Sequence, residues 1–394
     1  MSPQDAQTGY DFDRIEWDAV KGGRRINPRD IGFGLALLGL IGAAYYKQNV
    51  WPEDEPLPLV GFWDPLLVDW FFFASLLIFV FYVLIPIALN WDTLRDRWRK
   101  LRRDAVAMVS LGWLALFLIV GTLEPVIVGD IGFGPIQQPP VGFSIFEGFV
   151  GSCSGPVTNG QCHGTLAHPF GTNGNGRDLL MLTIAGMRTG LQMALITATI
   201  IIPVGIGVGT VAGYFGGRVD ALLMRYVDLQ QTIPALFIYM ALAVLVGPSL
   251  MLMVAVFGFL NWGNIARMVR SEVLQKRELE FVTAARSAGV NRWGIIRRHI
   301  VPNVAAIVVT ATALKLPKLI IVEATLSYLK LGDPRVVSWG NIVSVGVLSS
   351  TDPTIYWWIG AFPIGALVVT AVAMSLFGNA LQDVLDPRES GGSG

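Results

Sequence analysis

An all-α fold that crosses a membrane about eight times is what the sequence predicts, and three observations predict it. Only 15% of the 394 residues are charged and 53% are hydrophobic, with a mean hydropathy of +0.55, whereas a soluble domain carries roughly 25% charged residues. Several largely apolar stretches reach the length of about 20 residues that a helix needs to cross the hydrocarbon core of a bilayer. The polar intervals between them are segregated by sign of charge, although 29 basic and 29 acidic residues cancel over the whole chain.

Taken in order, the expected spans are 31–47, 68–90, 105–128, 179–212, 222–247, 249–265, 302–328 and 354–377. The first is short and glycine-rich, and its acidic, Gly- and Pro-containing leader marks it as a retained span and not a cleaved signal. The fourth is too long for one straight crossing and is expected to begin with interfacial helix. The seventh is interrupted by Lys315, Pro317 and Lys318.

Orientation follows from the excess of Lys and Arg on cytoplasmic segments. Arg95, Arg97, Arg99, Lys100, Arg102 and Arg103 precede the third span against Asp96 and Asp104, and 266–301 holds eight Lys or Arg against three Glu. Glu53, Asp54, Glu55 and Asp64 lie between the first two spans, and the 129–178 loop has Arg177 alone against three acids. Eight spans place the basic segments and both termini in the cytoplasm and the acidic loops outside.

The outer loop contains Cys153 and Cys162 in SCSGPVTNGQC. Its Gly, Pro and Asn permit a turn that would close a disulfide in an oxidising compartment; two unpaired small side chains are the alternative. Three histidines without a Cys/His cluster give no metal site, and His168 in this loop has no such partner. No GxxxxGK[ST] phosphate loop and no nucleophile–base grouping are present. No catalytic residue, bound cofactor or nucleic-acid partner is expected.

The segment LQKRELEFVTAARSAGVNRWGIIRRHIVP, 274–302, is polar and helix-forming although it lies between spans. From Lys276 to Ala288 helix formers dominate, and Gly289 is a natural helix stop. Leu279, Val282 and Ala285 share one face, and Phe281, Ala284 and Ala288 form an adjacent stripe. Ala284 and Ala285 allow close backbone approach, and Phe281 can fill a cavity. Helical character resumes from Asn291 to Ile300, and Pro302 opens the next span, where its missing N–H costs little. Such a segment either lies on lipid headgroups or docks onto a protein partner, and its attachment to a span at each end favours docking slightly.

Charges in or near spans are costly and rarely idle. Lys315 and Lys318 either face a translocation path or pair with Glu323. Asp220 and Arg225 support orientation near a span end, and Arg225 and Asp228 are spaced for an i,i+3 pair. Trp339 and Trp357 either anchor at the bilayer interface or pack the outer mouth.

The string Thr283-Ala284-Ala285, with Gly289 four residues on and His299-Ile300-Val301-Pro302 after it, resembles the hallmark of the inner-membrane permease subunits of ATP-binding-cassette importers. Thr283 stands for the usual acid, His299 for an apolar residue and Val301 for leucine. HPFGTNGNGRD at 168–178, GYFGGRVD at 213–220, EATLSYLKLGDP at 323–334, SWGN at 338–341 and LFGNALQDVLDPR at 376–388 are similar to the dipeptide/oligopeptide/nickel branch.

The resemblance covers about 93–388. It implies a first core span and external loop over 93–178, a permease core over 179–388 with its coupling segment at 266–301, six core spans in all, and a cytoplasmic tail at 389–394. Residues 1–92, with two additional spans, form an extension. It further implies that Leu279, Phe281, Val282, Thr283, Ala284, Ala285, Gly289 and Pro302 couple to a separate ATPase subunit, on which ATP and Mg are bound. The implied partners are a second, distinct permease, two ATP-binding subunits and an extracytoplasmic substrate-binding protein meeting loops 129–178 and 329–353, all in or on the bilayer of the cell membrane. Dipeptides or oligopeptides are the implied cargo, with nickel or another small solute as the alternative. Outside this family, a proton-coupled secondary transporter and a membrane scaffold are the competing readings.

Overall fold

The computed structural model describes residues 27–51, 63–349 and 354–385. Glu53, Asp54 and Glu55, the tail 389–394 and part of the 329–353 loop lie outside the described residues. Helix α1 (Pro28–Asn49) begins where the Asn27 side chain accepts from the Arg29 amide at 3.1 Å, with Pro28 in the first turn. Helix α2 (Leu67–Leu89) relaxes into a π turn at Val80–Leu84 just before Pro86, whose ring does not fit a regular helical turn. The basic segment forms α3 (Trp91–Leu101), and Asp104 caps α4 (Ala105–Val128) by accepting from the amides of Val106 and Ala107.

The longest element, α5 (Leu179–Phe215), has 37 residues and so extends about 55 Å. It does not begin as interfacial helix. Leu179, Leu182, Thr183, Ala185, Gly186 and Met187 are already buried in protein, which lets the helix exceed a bilayer crossing without exposing its first turns.

Helix α6 (Gly217–Thr232) meets α7 (Ala235–Val246) at a 65° bend, placed where Pro234 cannot continue a helix. Helices α8 (Leu250–Leu260) and α9 (Gly263–Lys276) follow, then a short α10 (Glu280–Ser287). Helix α11 (Arg292–Ile295) passes through a π turn at Ile296–Ile300 into α12 (Val301–Tyr328), and α13 (Trp339–Ser349) and α14 (Trp358–Leu385) end the described chain.

Among the described residues, five helices are long and apolar enough to cross a membrane, or up to seven if each of two bent pairs is one span. The fold is therefore all-α and polytopic. Helix α1 accounts for the difference from eight. It is a helix of 22 residues, but its glycines and the Tyr45-Tyr46-Lys47-Gln48 end dilute its hydropathy. The helical run that carries the sixth expected span continues past 265 to Lys276 through α8 and α9, with Arg267, Arg270, Glu272 and Lys276 in its last turns.

Helix α5 packs against α2, α4, α8, α9 and α12. Its approach to α9 is the closest, along a row of glycines. A Cβ on Gly205 would lie 2.7 Å from Ile265 Cγ2, one on Gly209 2.7 Å from Val269 Cβ, and one on Gly213 2.8 Å from the Arg270 carbonyl. Ile265, Ala266, Val269 and Val273 are correspondingly buried. Small residues spaced by four let backbones meet and gain dispersion contacts that lipid does not replace. Gly186 similarly receives the Trp339 ring, whose indole N–H donates to the Thr183 carbonyl at 2.8 Å. Trp339 is thus core and not an interfacial anchor.

Helix α2 is fastened to α5 by charge. Arg188 donates from Nη2 to Asp69 Oδ1 at 2.6 Å and from Nε at 3.2 Å, and Gln192 donates to the same oxygen at 2.7 Å. Glu124 of α4 stands 3.9 Å from Arg188. Rings of Trp63, Phe72 and Phe73 lie 5.0 to 5.9 Å from the guanidinium carbon, adding cation–π attraction at a buried position. Asp69 and Arg188 are both buried.

At one end of the bundle the 129–178 loop folds into a cap with a three-stranded antiparallel sheet, β1 (Ser144–Phe146), β2 (Val157–Thr158) and β3 (Gln161–His163), in the order β1-β3-β2. A disulfide joins Cys153 to the fully buried Cys162. Gln138 ties the cap internally by donating to the Ser152 carbonyl at 2.7 Å and accepting from the Ser154 amide at 2.8 Å. Trp357 packs edge-on against Phe143 of this cap, with ring centroids 4.9 Å apart. Trp358 donates to the Thr172 carbonyl at 3.3 Å and so joins the cap to α14.

Two measurements check these contacts. Gly209→Leu is expected to destabilise by at least the ~1–3 kcal/mol of an overpacked core and to lower the Tm of the detergent-solubilised protein. Gly207→Ala, where an added Cβ meets nothing within 4 Å, is expected to leave it unchanged. Asp69→Asn leaves Arg188 buried without its nearest counter-ion and should cost about 3 kcal/mol, with a smaller loss for Glu124→Gln; thermal unfolding of the three proteins side by side reads the difference.

Candidate functional site

The segment that links α9 to α12 is built as a bracket. Helix α9 stops at Lys276, and Arg277 turns back to donate to the Gly213 carbonyl at 2.9 Å. Leu279 is extended and starts α10, which Gly289 ends at φ +78°. The Gly289 amide donates to the Arg286 carbonyl and the Val290 amide to that of Ala285, a left-handed stop that glycine adopts without strain. The Asn291 side chain then caps α11 by accepting from the Gly294 amide at 2.6 Å. The expected single helix from Lys276 to Ala288 is therefore two helices with a break at 277–279.

Burial divides the predicted coupling residues. Val282 is fully buried within this chain and Ala285 half-buried, so this face seats α10 on its own bundle. Val282 therefore cannot belong to a surface offered outward. Leu279, Phe281, Thr283, Ala284 and Ala288 are exposed, with Phe281 resting beside His299 at 6.3 Å between ring centroids. Pro302 is exposed in the first turn of α12. The helix thus stands on Val282 and presents a small, mostly apolar face made from the second predicted stripe plus Leu279 and Thr283.

The bracket is braced sideways. Arg270 of α9 binds both carboxylate oxygens of Asp220 at 2.5 and 2.6 Å, and Arg267 reaches Asp228 at 2.8 Å. The i,i+3 pair expected between Arg225 and Asp228 does not form, because a guanidinium from the neighbouring helix takes the carboxylate. Two-pronged Arg–carboxylate geometry adds directionality to charge, so α6 and α9 are tied to each other.

Inside the bundle the predicted polar trio does not assemble. Glu323 is buried and accepts from Ser327 at 2.7 Å and from Ser338. Lys315 donates to the Asn261 carbonyl at the end of α8. Among the described residues neither Lys315 nor Lys318 forms an ion pair with Glu323 or with another acid. Ser327 lies one helical turn from Glu323 and satisfies it locally, and Lys315 instead meets the carbonyl end of a helix, where a cation is favoured.

Sequence reading missed Asp69 and Arg188. The signal was present as two opposite charges inside separate apolar runs, but nothing local pairs residues 119 apart.

Near the capped end, His168 Nδ1 meets Asp178 Oδ2 at 2.8 Å while Asp178 Oδ1 accepts from the Leu180 and Met181 amides, capping α5. The histidine is committed to this brace, and no group of metal-ligating side chains occurs among the described residues. In the turn before α13, burial pushes the Asp333 carboxyl up. Hydrogen bonds from the Arg335 side chain and amide and from the Leu250 amide outweigh it and hold the group below its ordinary value.

Comparison with known proteins matches this arrangement to one family. Residues 205–391 match the family described as a binding-protein-dependent transport system inner membrane component. The chain is 32% identical over 296 residues to the oligopeptide transport system permease protein OppC of Haemophilus influenzae, covering 75% of this chain and 88% of that protein. It is 37% identical over 302 residues to OppC of Escherichia coli, covering 76% and 91%, and 32% identical over 298 residues to the dipeptide transport system permease protein DppC of Bacillus subtilis, covering 75% and 85%. On those identities across most of each relative, the chain belongs to the peptide branch of the inner-membrane permeases of ATP-binding-cassette importers.

Proposed function

We propose that this chain forms half of the translocation pathway of an ATP-driven importer of dipeptides or oligopeptides, and that α10 receives the mechanical input. The observation that carries the reading is the bracket itself. A short helix is fixed on Val282, tied through Arg277 to the end of α5, and continuous through α11 with α12. Its exposed stripe at Leu279, Phe281, Thr283, Ala284 and Ala288 is small and mostly apolar, which suits a groove on a partner. A push on that stripe reaches α5, α9 and α12 directly.

The partners in this reading are a second permease, two ATP-binding subunits carrying ATP and Mg, and an extracytoplasmic binding protein that meets the disulfide-closed cap. This chain supplies no phosphate loop and hydrolyses nothing itself. It resides in the cell membrane with α10 and both termini in the cytoplasm. Residues 93–388 are the importer core, in which 93–178 supplies the first span and the cap. Residues 1–92 are an added unit, of which α2 is held through Asp69, and 389–394 is a cytoplasmic tail. The names and identities of the relatives support peptide cargo.

The test is purification of the tagged chain in mild detergent, with its ATPase activity assayed. Recovery of an ATP-binding subunit and a second permease is expected. Ala284→Glu places an unpaired charge in the docking face and is expected to reduce ATPase recovery by about tenfold or more, while leaving the Tm of the chain itself unchanged because Ala284 is exposed. A chain that remains alone, yet carries peptide into proteoliposomes on a proton gradient, would replace this reading with secondary transport.

A further inference from the structure

Lys318 is a charged side chain in the wrong solvent. In the helical stretch Ile307–Tyr328 it stands near the middle, with about 15 Å of helix on either side, further than its four-carbon stem can reach toward water. It is exposed on the same side of α12 as Leu314, Ile321 and Thr325, while Leu319, Ile320 and Glu323 are buried on the other. Among the described residues it has no ion pair. Lys315, one turn away, is near enough to repel it and is itself bonded to the Asn261 carbonyl. The acid nearest to it in sequence, Glu323, is turned to Ser327 and Ser338. An uncompensated ammonium at mid-span is not stable against lipid tails and belongs on a watered path or opposite a negative charge, so this face of α12 does not face lipid.

We propose that Lys318, with Lys315 behind it, is a recognition point on the translocation path for the free C-terminal carboxylate of the peptide cargo. The proposal rests on the importer reading above. The carboxylate complements two ammonium groups that no acid of the described chain offsets, and its fit is charge-assisted and short-ranged. Lys315 holds the carbonyl end of α8, so binding at Lys318 is felt where α8 meets α9, beside the glycine row that joins α9 to α5. Recognition at this point therefore acts on cargo in transit, separately from capture by a binding protein.

The complete transporter, reconstituted in proteoliposomes with its own partner subunits, is assayed for ATP-dependent uptake of trialanine and of trialanine amide. Lys318→Gln is expected to lower the carboxylate-to-amide uptake ratio by about tenfold, the size of one charge-assisted hydrogen bond. The loss should appear chiefly in the KM for trialanine, and Lys318→Arg should restore the ratio. An equal fall for both peptides, accompanied by loss of the second permease from the purified complex, would assign Lys318 to an acid on that subunit and overturn the proposal. Uptake that is present but indifferent to Lys318→Gln would overturn the proposal alone. Absence of ATP-dependent uptake of either peptide by the unsubstituted transporter would overturn the importer reading and the proposal with it.

Discussion

The approach of α5 to α9 is the constraint on which the remaining structure depends. Three positions at which even a methyl group would collide, Gly205, Gly209 and Gly213, bring two backbones together over most of the length of α9. Hydrophobic burial gives little reason for helices to associate within lipid, so contact of this density must supply the attraction. Once α9 is fixed, Arg270 and Arg267 are fixed too, and through Asp220 and Asp228 they draw in α6. The site of α8 and the starting point of α10 follow from that first contact.

The buried charges are then matched one by one, each by a partner at hand. Asp69 answers Arg188, the Asn261 carbonyl answers Lys315, and serines answer Glu323. In a medium that offers no water, such matching is the condition for burying charge at all. It also sharpens the contrast with Lys318, which has no acid opposite it and faces away from the chain's own core. The same logic separates support from display on α10, where the apolar Val282 is spent on anchorage while the neighbouring stripe remains open.

Much of this was legible in the residues. The span expected at 105–128 is the helix found there, and the stop at Gly289 is the left-handed residue that the helix pattern requires. Alternation and length speak only of what lies along one chain segment, however. Heptad-like spacing identified two stripes on 279–288 but could not decide which one faced inward, because the choice belongs to the bundle beneath Val282. A spacing rule pairs Arg225 with Asp228, yet it is Arg267 from another helix that binds Asp228. The length of the fourth span alone predicts interfacial first turns, whereas Leu179, Leu182 and Thr183 are enclosed by protein. For the coupling segment, a family string supplied the location and three-dimensional burial supplied the face.

The bond between Asp69 and Arg188 has a consequence for the order of events during synthesis. The acid is made 119 residues before the base, which at 5–20 residues per second is roughly 6 to 24 seconds of elongation. Through that interval α2 exists without the group that neutralises it, and its aspartate must stay solvated or protonated at the membrane boundary. The amino-terminal hairpin therefore cannot finish assembling on its own schedule. Its completion waits for a helix in the middle of the chain, so a unit that looks like an appendage in the sequence is, in biogenesis, locked only after α5 has been made.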